Sequence, residues 1–300
     1  NWCSEKPVRE WYGVQTDENS FVTGLQICGD LNKLAGRVSL PLEIGCLKNL
    51  SSLWIEKTNV DSFPEVIASL DIEVFRSWQN PYLTLSEYKP IYDGAGTLKE
   101  FEVVLSTDLG YEISDQFNIP QPIPSELLKN KGLKTLLLEG CNLSGNIPSW
   151  IGELTALESL VLYNLWTTNL TGEIPSTIGN LKNLRGLRLF NLELSGGIPE
   201  ELYAMPQLVS LEIDSCNIGG TLSPAIGNLI NLVWLNLRDA GLTGELPVEL
   251  ANIMDNLYSC MLDGNNLSGQ IPDEIRKHPK WRQFWTSIID GNQFNITYKD

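Results

Sequence analysis

The sequence is short of positive charge and contains no long hydrophobic run. Its 300 residues include 21 lysines and arginines against 37 aspartates and glutamates, which gives a net charge of −16 at pH 7. Binding to a nucleic-acid backbone depends on clustered lysine and arginine, so no nucleic acid is expected as a partner. No stretch approaches the roughly 18 apolar residues of a membrane-spanning helix, so no membrane insertion is expected. No charged-then-apolar leader precedes Asn1, and the sequence is compatible with a signal or lipid anchor that has been removed.

Histidine is almost missing as well, because the chain has only His278. Serine and cysteine nucleophiles depend on a nearby base, so this lack argues against nucleophilic catalysis. Asp214, Asp239 and Asp263 come closest to a calcium site, but the ligand-dense loop of calcium-binding proteins is missing. The sequence therefore predicts a protein without catalytic residues, cofactor or metal site.

What the sequence has in abundance is a repeated pattern of leucines. Segments of the form LxxLxL start at intervals of 24, 27, 24, 24 and 25 residues in the second half of the chain. Their first residues are Leu133, Leu157, Leu184, Leu208, Leu232 and Leu257. This period and spacing are typical of leucine-rich repeats, in which each copy adds one short strand to a curved parallel sheet.

Each part of the repeat predicts one part of the structure. In LxxLxL the leucines alternate with other residues at the strand period of two, so the leucines point to the core and the others to the concave face. The Leu-Ser-Gly at 143–145 and its equivalents predict a turn, because glycine permits backbone angles that other residues avoid. Ile-Pro then predicts an extended segment. Apolar residues three apart, such as Ile151 and Leu154, predict one helical turn on the convex side.

Weaker copies of the pattern start near residues 22, 50, 72 and 98, which brings the number of strands to about ten. We therefore predict an α/β fold, a single right-handed leucine-rich-repeat solenoid domain over residues 1–300. The repeats occupy 22–275, between an amino-terminal cap at 1–21 and a carboxy-terminal cap at 276–300. Because the end of a solenoid exposes its core, aromatic cap residues such as Tyr12 and Trp281 are expected to cover it.

The region 71–131 is irregular. The distance from Leu98 to Leu133 is 35 residues, well above the usual 24. Insertions in repeats often lie on loops at the binding face, which is consistent with a role in ligand contact. The favoured interpretation is a degenerate repeat whose aromatic residues pack on their own loop. The aromatic residues concerned are Trp78, Tyr82, Tyr88, Tyr92, Tyr111 and Phe117.

The six cysteines do not form an obvious disulfide framework. Cys141 and Cys216 fall where this repeat class uses asparagine or cysteine to bond neighbouring backbones, and Cys260 replaces a core leucine, so these three are predicted to be buried thiols. Cys3, Cys28 and Cys46 lie in or near the amino-terminal cap, where one pair can be bridged.

The segments SGNIPSWIGEL, TGEIPSTIGNL and SGQIPDEI resemble the plant-specific class of leucine-rich repeats, known from receptor-kinase ectodomains and polygalacturonase-inhibiting proteins. The resemblance covers about residues 22–275. Plant members normally flank the WxGV of the cap with a cysteine pair, whereas WYGV at 11–14 has none close by. The caps look more like those of bacterial surface proteins of gut anaerobes that share this repeat class. Both groups imply a secreted or surface-exposed recognition module without catalysis.

The concave face is the expected contact surface for a protein or glycan ligand. Residues at one repeat position stack about 4.8 Å apart in a parallel sheet, so the rings at the seventh strand position form a column on adjacent strands. Aromatic residues with a few charges nearby are the composition of a contact patch. The predicted ligand-binding residues are Tyr163, Trp166, Arg188, Phe190, Leu137 and Val161.

Other interpretations remain open from the sequence. The concave charges can neutralise one another, since Arg188 neighbours Glu212 and Arg238 stands between Asp214 and Asp263; such a network is no sign of a ligand. A structural spacer or assembly element is one alternative function. A glycoside hydrolase using Glu212 and Asp214, roughly 7 Å apart on one strand, is another. It is disfavoured because an open sheet beside arginines would not supply a dry pocket.

Overall fold

The computed structural model describes residues 7, 12–29, 36–105, 120–165 and 169–295. The chain divides into two compact units, Asn1–Asn142 and Leu143–Asp300, which we call the first unit and the second unit. The strands of the large sheet follow the order of the chain in both units, with six in the first and five in the second. The single domain over 1–300 stays a prediction.

In the first unit, five of the six strands of the large sheet are parallel and pair in register. Leu53, Phe75, Phe101 and Leu136 occupy equivalent positions on successive strands. Alternate residues of each strand are buried because side chains alternate between the two faces of a sheet. The strands are β1 (Val14–Thr16), β2 (Val22–Cys28), β4 (Ser52–Glu56), β6 (Val74–Trp78), β7 (Glu100–Val104) and β8 (Thr135–Glu139).

Short helices and a minor sheet complete the first unit. The minor sheet pairs β3 (Val38–Ser39) with β5 (Val60–Ser62). Each 3-10 helix begins directly after a proline, whose ring holds φ near the helical value. The helices are the 3-10 segments Leu42–Cys46, Glu65–Ser69 and Ser125–Lys129 and the single α-helical turn α1 (Lys89–Tyr92).

Aromatic rings fill the core of the first unit. The Phe75 ring lies 5.7 Å from the ring of Phe101 and 5.6 Å from that of Tyr88, measured between centroids. Tyr88 is fully buried, and its hydroxyl oxygen lies 2.6 Å from the Oγ of Ser77, which is also fully buried. Ser77 occupies an inward strand position that carries a larger apolar residue on the neighbouring strands. The tyrosine from the insertion therefore occupies space that the small serine leaves.

The second unit repeats a more regular version of the same plan. Its five large-sheet strands are parallel, and Leu160, Leu187, Leu211, Leu235 and Cys260 occupy equivalent buried positions. These strands are β10 (Ser159–Tyr163), β12 (Gly186–Phe190), β14 (Ser210–Asp214), β15 (Trp234–Asn236) and β17 (Ser259–Met261).

Two minor parallel sheets and a series of short helices complete the second unit. One minor sheet contains β9 (Gly145–Asn146), β11 (Leu170–Glu173) and β13 (Glu193–Ser195); the other contains β16 (Thr243–Glu245), β18 (Asn266–Gly269) and β19 (Gln293–Phe294). The helices are the 3-10 segments Ser149–Glu153, Ser176–Asn180, Pro224–Asn228 and Val248–Leu250, and the α-helices α2 (Glu200–Tyr203), α3 (Ala251–Met254), α4 (Asp273–Arg276) and α5 (Trp281–Ile289).

Several sequence predictions about the repeat are confirmed. All ten predicted parallel strands are present. Glycine of the Leu-Ser-Gly turn is required at Gly269, where φ is +80° and an added Cβ would lie 2.8 Å from the side chain of Glu245. Trp281 and Phe284 are buried on one side of α5, as expected for the carboxy-terminal cap.

Among the described residues, no helix is both long and apolar enough to span a bilayer.

The helical turn predicted for the convex side is present, mostly as a 3-10 helix, in which residues three apart lie on one face. Other predictions need correction. The antiparallel strand β1 was not predicted. Tyr12, expected in the core of the cap, is 70% exposed, because it lies in the turn that precedes β1. Trp2 and Trp11 lie outside the described residues.

The aromatic residues predicted to lie in or near the insertion occupy different environments. Tyr88 and Tyr92 belong to the core of the repeats, and neither packs only on its own loop. Tyr82 lies beneath the guanidinium of Arg37, 4.8 Å from ring centroid to Cζ. Trp78 lies on the sheet face that points away from the core. Tyr111 and Phe117 lie outside the described residues.

The buried thiols are confirmed. Cys141, Cys216 and Cys260 are free and buried, and burial raises the pKa of each of them, to about 12 for Cys216 and Cys260. Cys28 and Cys46 are exposed free thiols, so the structure does not bridge them to each other. Cys3 lies outside the described residues.

Candidate functional site

The strand residues that point away from the core form a surface that we call the open face of each unit. On the second unit, Tyr163 of β10 and Phe190 of β12 lie directly opposite each other in register. Their rings meet edge to face, with centroids 5.8 Å apart and an interplanar angle of 66°. This is a favourable geometry for two aromatic rings, and both side chains remain half-buried. The adjacent rings therefore form an apolar platform on the open face.

Val161 and Arg188 stand beside the rings, also in register with each other. Val161 is only 9% exposed, so it supports the platform and offers little area to a ligand. Arg188 is exposed and its Nε donates to Glu212 Oε1 at 2.9 Å. Ser210 Oγ donates to the same oxygen at 2.5 Å. The carboxylate of Glu212 thus holds the arginine at the edge of the platform.

Further along the open face the charges are paired as well. Arg238 Nε donates to Asp263 Oδ2 at 2.8 Å, and this bond raises the pKa of the arginine. The charge of Asp214 adds to this rise in pKa, while its Oδ2 accepts from Asn236 Nδ2 at 2.9 Å. These contacts agree with the interpretation that the concave charges satisfy one another. Exposed pairs of this kind add little stability individually.

The predicted site is only partly assembled by the structure. Tyr163, Phe190, Val161 and Arg188 come together on the open face of the second unit. Leu137 belongs to the first unit, where it is half-buried on the open face of β8. Trp166 lies outside the described residues. The ligand-binding role of all six stays a prediction.

The arrangement offers no catalytic geometry of the kind considered for a hydrolase. Glu212 accepts from Arg188 and Ser210, and Asp214 accepts from Asn236, so neither carboxylate is held in a dry, unpaired state. General acid catalysis by a carboxyl group depends on such a state. In the part of the chain that the structure describes, no cluster of three or more His, Cys, Asp or Glu side chains could hold a metal ion.

A second group of open-face residues was missed by the sequence analysis. In the first unit, the rings of Trp54 and Trp78 meet edge to face with centroids 5.1 Å apart. Arg76 lies next to them; its Nη2 contacts Glu100 Oε2 at 2.5 Å and its Nε contacts Glu102 Oε2 at 3.2 Å. Burial raises the pKa of Glu102, and the nearby Arg76 opposes that shift. We call these five residues the tryptophan cluster.

The tryptophan cluster was detectable in principle. Trp54 is the fifth and Trp78 the seventh residue of their LxxLxL-like segments, and both positions point away from the core. Open-face positions were predicted only for the regular repeats from Leu137 onward. The irregular spacing around 71–131 hid the register of the earlier strands, which the paired strands β4, β6 and β7 now fix.

Comparison with known families and structures agrees with this architecture. A family described as Leucine Rich Repeat matches residues 132–154 and 207–229. A comparison with curated protein sequences found no match. The fold thus defines a solenoid built from leucine-rich repeats. The repeats of this chain resemble those of the plant type of leucine-rich repeat.

Similar solved structures include plant receptor ectodomains. The Arabidopsis receptor kinase HAESA, in complex with the peptide hormone IDA and the co-receptor SERK1, is 26% identical over 90% of this chain and 43% of its own, with a TM-score of 0.64. The ectodomain of GASSHO1/SCHENGEN3 from Arabidopsis thaliana, in complex with CASPARIAN STRIP INTEGRITY FACTOR 2, shares the fold at 24% identity, with coverages of 89% and 30% and a TM-score of 0.66. The chain thus spans less than half the length of either receptor.

A plant ice-binding protein shares the fold over nearly its full length. It is 21% identical, with 99% of this chain and 89% of that chain covered and a TM-score of 0.65. One architecture therefore occurs in proteins described as a hormone receptor and as an ice binder. The fold alone does not define the ligand, so the ligand must be argued from the residues of the open face.

Proposed function

We propose that this chain is a non-catalytic extracellular recognition module that binds a protein partner through the open face of its second unit. Tyr163 and Phe190 form the centre of the contact, and Arg188 lies at its edge. The observation that carries the proposal is the edge-to-face pair of half-buried rings in register on adjacent strands. The complex of HAESA with a peptide hormone supports a protein or peptide ligand and an extracellular location.

The energetics of the ring pair suit a binding site. Covering the exposed parts of two aromatic side chains contributes up to a few kcal/mol at about 25 cal/mol per Å², before the losses of association. Interfaces concentrate their binding energy in a few aromatic and arginine residues. The rings lie outside the leucine core, so we expect the fold to survive their removal. This expectation fits a surface that serves binding.

The test begins with a screen of the intact protein against secreted peptides, extracellular domains and a glycan array. For a peptide or protein that binds, the double variant Tyr163→Ala and Phe190→Ala should raise the dissociation constant about 10- to 100-fold. Each tenfold rise corresponds to a loss of about 1.4 kcal/mol of binding free energy. Ile230→Ala, which removes an apolar side chain that is 55% exposed in the same unit, is the matched control.

Melting temperature is measured for every variant. Unchanged affinity in the double variant would remove this platform from the site. A large drop in melting temperature would show instead that the two rings are structural. Hits confined to the glycan array, with no peptide or protein among them, would contradict the proposed class of partner.

A further inference from the structure

The open face of the first unit differs from that of the second in both its rings and its charge. Its aromatic pair consists of tryptophans, one on β4 and one on β6. Indole presents the most electron-rich face of the common aromatic side chains and attracts cations most strongly. Trp54 and Trp78 are each half-buried, so part of each ring is available at the surface.

The charges around the tryptophans are mostly negative. On the open face of β6 and β7, the carboxylates of Glu100 and Glu102 stand beside the single guanidinium of Arg76. These two strands therefore carry one more carboxylate than cations on that face. On the neighbouring β4, Glu56 pairs with Lys57.

Arg76 does not neutralise this surface. It contacts both Glu100 and Glu102, so two carboxylates share one positive charge. A carboxylate can accept more than one hydrogen bond at each oxygen, so the pair retains capacity for a second cationic donor. Burial raises the pKa of Glu102, because the ionised form lacks full solvation there. A further cation would improve the electrostatic environment of this carboxylate.

A groove beside the cluster can receive a side chain. Its volume is about 340 Å³, and Trp54, Arg76, Gln26, Ser52 and Val74 contribute to its walls. The wall thus combines one indole, amide and hydroxyl groups, the apolar surface of a valine and the guanidinium of Arg76. The indole and the valine suit the apolar stem of a lysine or arginine side chain, whose charged end would lie outside the groove, away from Arg76 and towards the carboxylates.

We propose that the tryptophan cluster binds a lysine or arginine side chain from an extended segment of a protein partner. The stem lies against Trp54 in the groove, and the cationic end meets the indole rings and the carboxylates of Glu100 and Glu102. The proposal takes the class of partner from the proposed function but uses a different surface. The excess of carboxylates favours a cationic peptide over a neutral glycan.

The probe is the capped peptide Ac-Arg-Gly-Arg-Gly-Arg-NH2, compared with the same peptide in which citrulline replaces each arginine. Binding to the complete chain is followed by two-dimensional ¹⁵N NMR of the indole N–H resonances, assigned with Trp54→Phe and Trp78→Phe. The arginine peptide should shift the resonances of Trp54 and Trp78 and leave that of Trp234, in the second unit, unchanged. Citrulline keeps the shape and removes the charge, so its peptide should bind at least tenfold more weakly.

Two sets of variants distinguish a loss of carboxylate charge from a loss of folded structure as the cause of weaker peptide binding. Glu100→Gln with Glu102→Gln keeps the side-chain volumes and should weaken the peptide at least tenfold, whereas Glu193→Gln, at an exposed position of β13, should change affinity less than twofold. Equal binding of the citrulline peptide, or equal binding by the double glutamine variant at an unchanged melting temperature, overturns the proposal. So does a neutral oligosaccharide that shifts Trp54 and Trp78 at lower concentration than the peptide.

Failure here and failure of the proposed function are distinguishable. Tyr163→Ala with Phe190→Ala leaves the tryptophan cluster intact, so the shifts of Trp54 and Trp78 with the arginine peptide should persist in that variant. Loss of these shifts in that variant would show that binding of the peptide to the first unit depends on Tyr163 or Phe190, which contradicts the proposal. A partner that depends on Tyr163 and Phe190 while the arginine peptide shows no binding would overturn only the role of the tryptophan cluster.

Discussion

The cores of the two units are filled by different kinds of side chain. The second unit stacks leucines at equivalent strand positions, from Leu160 to Leu235, each fully buried or nearly so. The first unit fills its core with rings, among them Phe75, Phe101 and Tyr88. A repeat can therefore depart from the leucine pattern if the volume and the hydrogen bonds are restored together.

Ser77 and Tyr88 show how that restoration works. Serine leaves a gap where its neighbours carry larger residues, and the tyrosine of the insertion fills it while its hydroxyl meets the serine hydroxyl. Asn80 Nδ2 donates to the same serine oxygen at 2.8 Å. A buried polar atom in an apolar core costs free energy unless it is bonded. The irregular repeat is therefore a compensated one, and its insertion is part of the core.

The largest expected effect is on this compensation. Tyr88→Ala should lower the free energy of unfolding by about 3–5 kcal/mol, because it empties a fully buried ring site. Urea unfolding followed by circular dichroism measures the loss. Tyr88→Phe is the matched control and should cost about 1 kcal/mol, through the lost hydroxyl contact alone. A loss below about 1 kcal/mol for the alanine variant would show that the ring does not fill the core, which would contradict the contrast drawn between the cores of the two units.

The second prediction concerns the asparagine that ties successive repeats together in each unit. Asn265 Oδ1 accepts from the backbone of Leu242 at 2.9 Å, and its Nδ2 donates to the carbonyl of Leu237 at 2.6 Å. Asn265→Ala should cost about 2–4 kcal/mol, because buried backbone groups lose their partners. Asn80→Ala should cost a similar amount in the first unit. Asn252→Ala, at an exposed position, is the control, and a cost as small as the control's would show that water replaces the side chain.

The third prediction compares thiols. Cys28 and Cys46 should react with a maleimide or disulfide reagent at pH 8 at least about 100-fold faster than Cys141, Cys216 and Cys260, because burial raises the pKa and blocks access. Mass spectrometry after timed quenching gives the rate for each peptide. Rapid modification of Cys216 or Cys260 in the folded protein would indicate that the second unit opens more readily than its leucine core implies.

The smallest effect is expected at α4. Asp273 accepts from Arg276 and Lys277, which lowers the pKa of its carboxyl from 3.8 to about 2. A carboxyl whose folded pKa is depressed stabilises the fold above its unfolded pKa, and that contribution is lost as the pH falls through the folded pKa. The contribution should therefore fade between about pH 4 and pH 2. Asp273→Asn lacks this carboxyl, so the melting temperature of the parent minus that of the variant should fall as the pH drops from about 4 to about 2, and a difference that does not change with pH would contradict the pairing.

Much of the fold was predictable because one pattern repeats. The spacing of Leu157, Leu160 and Leu162 defines a strand with inward residues, and its repetition defines a parallel sheet in register. The register in turn placed Tyr163 beside Phe190, as the structure has them. The first unit was harder, because unequal repeat lengths conceal which residues share a column. For that reason Trp54 and Trp78 were not brought together by sequence reasoning.

The repeat, the inward leucines, the turn glycines and the buried cysteines are predictable from the sequence, because each depends on a residue and its near neighbours along the chain. The groups that meet across strands are set by the tertiary fold. Arg238 had two aspartates within reach in the pattern, and it bonds Asp263 while Asn236 takes Asp214. Arg76 bridges two glutamates, and β1 turns back against β2 and leaves Tyr12 in solvent. Such choices depend on side-chain torsions and on competition among several nearby partners, which spacing along the chain does not encode.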